Sequence, residues 1–205
     1  NILAIGALYN AGNGTDAGHV RIYQNIGGSW SQIGNDIDGE AEYDWSGYSV
    51  SLSSDGSIVA IGAPDNGGNG FDAGHVRIYS YDGLSWNQLG NDIDGEASID
   101  KSGHSVSLSS DGSIVAIGAE GNDGNGNGSG HVRIYNYDGS TWNQLGNDID
   151  GEASIDWSGW SVSLSSDGNT VAIGATWANG LNGVNHGHVR IYGYDGSTWN
   201  QLGND

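Results

Sequence analysis

Carboxylates stand at alternate positions in the segment NDIDGEASID, which sets Asp92, Asp94, Glu96 and Asp100 within nine residues. The pattern returns as Asp36, Asp38, Glu40 and Asp44, and again as Asp148, Asp150, Glu152 and Asp156. Oxygen donors at this density, with a Gly among them, are what a hard divalent cation such as Ca²⁺ coordinates. The register is not that of an EF-hand loop. The competing reading is a solvated connector in which one carboxylate pairs with an Arg. Arg21, Arg77, Arg133 and Arg190 are all of the positive charge except Lys101. One guanidinium per segment suits a two-pronged bond to a carboxylate between repeated units.

A second set of residues points to recognition. Residues 86–112 and 142–168 differ only at Lys101/Trp157 and His104/Trp160. Trp45 and Tyr48 hold the same two places one segment earlier, and each pair flanks a Ser-Gly. Tyr9, Phe71 and Trp177 are further segment-specific aromatics in the longer loops. Rings beside Asp and Asn can stack on a sugar and hydrogen-bond its hydroxyls. The candidate ligand-binding residues are therefore Trp45, Tyr48, Lys101, His104, Trp157, Trp160, Phe71 and Trp177. The string GGNGFD (67–72) matches a calcium-binding nonapeptide, but its equivalents are not stacked turn on turn, so it reads as a loop.

No catalytic constellation is present. GYSVS, GHSVS and GWSVS lack the last Gly of a nucleophile elbow, and neither HExxH nor GxxxxGK[ST] occurs. The carboxylates recur alike in each segment, whereas a catalytic centre is one asymmetric place. The expectation is a protein that is not an enzyme. Acidic residues outnumber basic ones 25 to 5, for a net charge of −20. That charge argues against nucleic acid and anionic membranes as partners. No apolar run is long enough to span a bilayer as a helix. With no Cys there is neither a disulfide nor a thiolate metal site.

These residues ride on a repeat. GHVRIY occurs four times, with His19, His75, His131 and His188 spaced 56, 56 and 57 residues apart. Each unit reads as four short strands, represented by 48–53, 58–63, 75–81 and 85–90. Asp55-Gly56 and Asp82-Gly83, with their equivalents, mark hairpin turns. The spacing predicts an all-β chain of four-stranded antiparallel blades of a β-propeller, with fifteen strands present. The units run approximately 1–36, 37–92, 93–148 and 149–205. Asn1 aligns with Ser57, so the expectation is a window on a larger propeller, or one completed by another chain through open blade edges. Connections carrying the variable aromatics leave one face of such a blade, and the uniform Asp-Gly turns leave the other.

The unit SGYSVSLSSDGSIVAIGAPDNGGNGFDAGHVRIYSYDG (46–83) resembles the FG-GAP repeat of integrin α chains and many surface proteins. Gly47 with Ser49-Val50 matches its start, Asp55-Gly56 its central DG, and Gly62-Ala63-Pro64 its GAP. The resemblance implies a seven-bladed propeller at the cell surface or outside the cell, used for adhesion or recognition. Its partner would be a glycan or an extracellular protein, with self-association as the alternative. The family's calcium loop is here only Ser-Ser-Asp-Gly, fewer oxygens than Ca²⁺ takes.

Overall fold

β-branched runs separated by Gly-rich and Asp-Gly turns form strands throughout. The computed structural model describes residues 1–178 and 186–204, and no helix occurs among them. The inserted residue of the last unit belongs to a loop of which 179–185 lie outside the described residues.

The strands make four antiparallel sheets in chain order. The first holds β1 (Ile2–Ala7), β2 (His19–Ile26) and β3 (Ser29–Gln32), with β4 (Ile37–Asp38) paired to β2. The second holds β5 (Ser49–Leu52), β6 (Ile58–Ala63), β7 (His75–Tyr81) and β8 (Trp86–Gln88), with β9 (Ile93–Asp94) on β7. The third repeats this as β10 (Ser102–Leu108), β11 (Ile114–Ala119), β12 (His131–Tyr137), β13 (Trp142–Gln144) and β14 (Ile149–Asp150). The fourth holds β15 (Ser158–Leu164), β16 (Thr170–Ala175), β17 (His188–Tyr194) and β18 (Trp199–Gln201). Among the described residues no sheet closes on itself.

Among the described residues eighteen strands therefore replace the expected fifteen. The three additions are the two-residue strands of the acidic loops. The fourth strand β8 pairs only with Tyr79–Tyr81 of β7. Gly90, at φ +70°, breaks it, and Ile93-Asp94 then resumes pairing beside His75 and Val76. The Asp-Gly hairpin is also longer than a two-residue turn. Ser53 N–H donates to Ile58 O, and Asp55 braces the loop by accepting from Ser53 Oγ, Ser57 N and Ser57 Oγ.

The core lies between sheets. Ala60, Val76, Ile78 and Ile93 pack against Leu108, Val115, Ile117 and Tyr135 of the next sheet. Equivalent clusters join sheets one and two and sheets three and four. Each second strand thus sends alternate side chains to both neighbours, which is why IVAIGA is apolar throughout. Polar bonds pin the same junctions. Trp86 Nε1 donates to Ile33 O, Trp142 to Leu89 O and Trp199 to Leu145 O, at 2.8–3.0 Å. Where the sheets come closest, a Cβ on Gly62 would run into the carbonyl of Gly103, itself at φ +86°, and Gly6 meets the carbonyl of Gly47 in the same way. Ser49 Oγ donates to the Gly103 carbonyl at 2.7 Å.

Candidate functional site

The variable positions come together as one ridge of rings. Trp45, Lys101 and Trp157 all hold a left-handed backbone, with φ of +57°, +58° and +53°. Their N–H groups donate to loop carbonyls of the preceding unit: Trp45 to Asp16 O, Lys101 to Asp72 O and Trp157 to Gly128 O. A tight turn over the Ser-Gly follows, closed by Tyr48 N to Trp45 O, His104 N to Lys101 O and Trp160 N to Trp157 O. The turn sets its first and last side chains side by side. Trp45 and Tyr48 lie nearly parallel at 6.3 Å, and Trp157 and Trp160 at 5.5 Å. His104 and Trp160 sit in bulges of β10 and β15, between residues 102 and 105 and between 158 and 161. Such bulges re-aim side chains out of the ladder.

Across units the rings connect. Tyr9 meets Trp45 edge-on at 5.9 Å. Tyr48 lies 4.9 Å from His104, and His104 lies 4.6 Å from Trp160. Trp177 closes on Trp157 at 5.4 Å. The order Tyr9, Trp45, Tyr48, His104, Trp160, Trp157, Trp177 is continuous across the three sheet junctions. Tyr9, Tyr48, Trp160 and Trp177 are exposed, while Trp45, His104 and Trp157 are partly covered. Phe71 is 74% exposed and stands apart from the ring contacts.

The middle of the ridge is polar underneath. His104 Nδ1 lies 3.2 Å from Trp160 O, and Nε2 lies 3.0 Å from Tyr48 Oη. A carbonyl only accepts, so the Nδ1–H donates to it and Nε2 accepts the Tyr48 hydroxyl. Burial lowers the His104 pKa and raises those of Tyr48 and Glu120. Glu120 Oε1 is 4.0 Å from His104 Nε2. Lys101 Nζ donates to Asp65 at 2.7 Å and Asp72 at 2.8 Å. Burial works against its charge, and the bonds to Asp65 and Asp72 more than offset this, so its pKa is raised. Asp65 occupies the loop place that Tyr9 holds one unit earlier. An aromatic pair, Tyr9 with Trp45, is thus exchanged for an ion pair, Asp65 with Lys101.

The acidic loops divide their carboxylates among separate tasks. Asp44, Asp100 and Asp156 are buried and accept the N–H of Ala41, Ala97 and Ala153. Asp92 and Asp148 accept from Gln88 and Gln144. Asp36 accepts from Gln32 and from both Nε and Nη2 of Arg21, whose bonds hold its carboxyl down at about 2. Glu40, Glu96 and Glu152 reach forward to Arg77, Arg133 and Arg190 on the third long strand of the next sheet. Asp38, Asp94 and Asp150 stand on the two-residue strands, and burial raises the carboxyls of Asp94 and Asp150.

Among the described residues, three groups bring ligand atoms close enough to share an ion: His19, Asp36 and Asp38; Glu40, His75 and Asp92; Glu96, His131 and Asp148. None is the set of four carboxylates from one loop; two of the three span two successive loops and a strand-start His. Each supplies one imidazole and two carboxylates, short of the six to eight oxygens of Ca²⁺ and nearer to a transition-metal set. Arg77 and Arg133 already pair with Glu40 and Glu96.

Sequence reasoning named the ridge positions because they vary between like units. It missed Asp65, Glu120 and the carboxylate partners of His75 and His131. The alternation of Tyr9, Asp65 and Trp177 two residues after each GA was the available signal. No protein-family model and no curated protein matches this chain.

Proposed function

We propose that the chain forms blades of a β-propeller of the FG-GAP kind and recognises a glycan through the aromatic ridge. The observation that carries this reading is the unbroken line from Tyr9 to Trp177, built from the positions that differ between otherwise matching units. Four exposed rings offer flat apolar faces to the C–H surfaces of sugars. Asp65, Asp72 and the Tyr48 hydroxyl lie beside them as polar partners. Three large side chains held at positive φ, where Gly is the least strained choice, favour a role for those side chains. The reading includes an extracellular or surface location and adhesion as the use of binding.

Binding rather than catalysis is proposed, because the recurring His and carboxylate groups are already engaged with Arg, Gln and backbone partners. The reading needs no cation. A glycan array with the purified chain tests it, repeated with Trp160→Ala and with Phe71→Ala. The expected result is binding that falls at least roughly tenfold in Trp160→Ala and persists in Phe71→Ala and after chelation. No glycan binding, or equal binding by all three proteins, overturns it. A protein ligand competing for the same ridge would replace the glycan while keeping the site.

A further inference from the structure

Two of the groups of His and carboxylates lie at junctions inside the array. Glu40, in the loop that leaves the first sheet, meets His75 and Asp92 of the second. Glu96, in the loop that leaves the second sheet, meets His131 and Asp148 of the third. At the first of these junctions each carboxylate has one oxygen held from outside. Arg77 Nη1 lies 3.4 Å from Glu40 Oε1, and Gln88 donates to Asp92 Oδ1 at 2.6 Å. The remaining oxygens, Glu40 Oε2 and Asp92 Oδ2, face His75 Nδ1 at 3.9 and 3.8 Å. The next junction repeats the arrangement. Arg133 Nη1 is 3.2 Å from Glu96 Oε1, Gln144 donates to Asp148 Oδ1 at 2.6 Å, and Asp148 Oδ2 is 3.8 Å from His131 Nδ1.

The imidazole is the buried member of each group. The side chains of His75 and His131 are 2% exposed, against 30–49% for the four carboxylates. Neither ring nitrogen of either His makes a hydrogen bond among the described residues, and 3.8–3.9 Å is beyond the reach of one. A buried polar group left in this way calls for a partner. At His19 the facing oxygen, Asp36 Oδ2, already accepts from Arg21 at 2.8 Å, so that group stands aside.

We infer that Glu40, His75 and Asp92, and likewise Glu96, His131 and Asp148, each hold one transition-metal ion of the Zn²⁺ class, which ties successive sheets together. Zn²⁺ sits about 2.0–2.2 Å from nitrogen and oxygen ligands, so two donors on one ion stand at most about 4 Å apart. The measured separations of 3.8–3.9 Å meet that limit, and the partly exposed carboxylates have room to close further. The imidazole selects the class, because it suits Zn²⁺ and its neighbours whereas Ca²⁺ takes six to eight oxygens. Three protein ligands leave the fourth place of a tetrahedral shell to water. Arg77, Gln88, Arg133 and Gln144 then orient the ligating carboxylates from behind. An ion bound only by the folded junction stabilises it. The inference does not rest on what the ridge binds.

Isothermal titration of the chelator-treated chain with ZnCl₂ tests it, with CaCl₂ in parallel and with His75→Gln, His131→Gln and the double variant. The wild type is expected to bind Zn²⁺ at two sites, each single variant at one and the double variant at neither. Ca²⁺ is expected to bind the wild type at least roughly tenfold more weakly. Zn²⁺ is expected to raise the thermal melt of the wild type and to leave that of the double variant in place. The melt without metal checks that the variants fold. Asp92→Asn combined with Asp148→Asn, at partly exposed positions, is expected to lose the same two sites and keeps the test open if the buried His do not tolerate replacement. No Zn²⁺ binding overturns the inference. So does Zn²⁺ binding that survives in either double variant, or Ca²⁺ bound as tightly as Zn²⁺.

Discussion

Trp45, Lys101 and Trp157 occupy a backbone conformation that costs an L-residue roughly 1–2 kcal/mol. Their surroundings impose it, since the buried Asp44, Asp100 and Asp156 brace the loop one residue earlier. Replacing Trp157 by Gly removes that strain and also removes two ring contacts, to Trp160 and Trp177, each worth about 0.5–1.5 kcal/mol. The two effects offset, so Trp157→Gly is expected to melt close to wild type while its glycan affinity falls. A melt shifted down strongly would mean the ring is chiefly packing. Lys101→Ala leaves Asp65 and Asp72 facing each other without a cation. It is expected to cost about 1 kcal/mol in denaturant unfolding, the pair being partly solvated. At His75 and His131 burial, with Arg77 and Arg133 adding to it, pushes the pKa down from 6.5 to about 4, against Asp92 and Asp148. Unfolded imidazoles take up protons first as pH falls, so stability is lost between about 6.5 and 4. Replacing both residues by Gln is expected to flatten that limb of a pH series of unfolding midpoints.

At the scale of strands and turns, most of the arrangement was legible. IVAIGA and HVRIYSY announce themselves by β-branched content, and the Asp-Gly pairs mark where the chain reverses. The ridge positions were legible because near-identical units make any difference stand out. The two-residue strands were not, because Ile93-Asp94 is too short to carry an alternation. Nor were Asp65 and Asp72 as partners of Lys101, since they lie 36 and 29 residues away and meet it only through the sheet junction. The close approach of Gly62 to Gly103 gives the two motif glycines a physical reason. Gly103→Ala would need a Cβ at φ +86°, against His75 O and Gly62. It is expected to lose more than about 2 kcal/mol, measured by chemical unfolding, whereas Gly83→Ala meets no neighbour and costs only its φ strain.

Across the whole molecule, four like sheets hold one another through three repeated junctions, and most of the unit-specific aromatic side chains meet in one line. The successive ring centroids along that line are 4.6–6.3 Å apart. A surface of that kind gains contacts as a linear ligand lengthens, whereas separate pockets saturate with one sugar. Isothermal titration of the chain with a length series of whichever oligosaccharide the array selects distinguishes the two. A single ridge predicts affinity that climbs with each added sugar until the line is covered, at a stoichiometry of one ligand per chain. Affinity independent of length, with several ligands bound per chain, would contradict it.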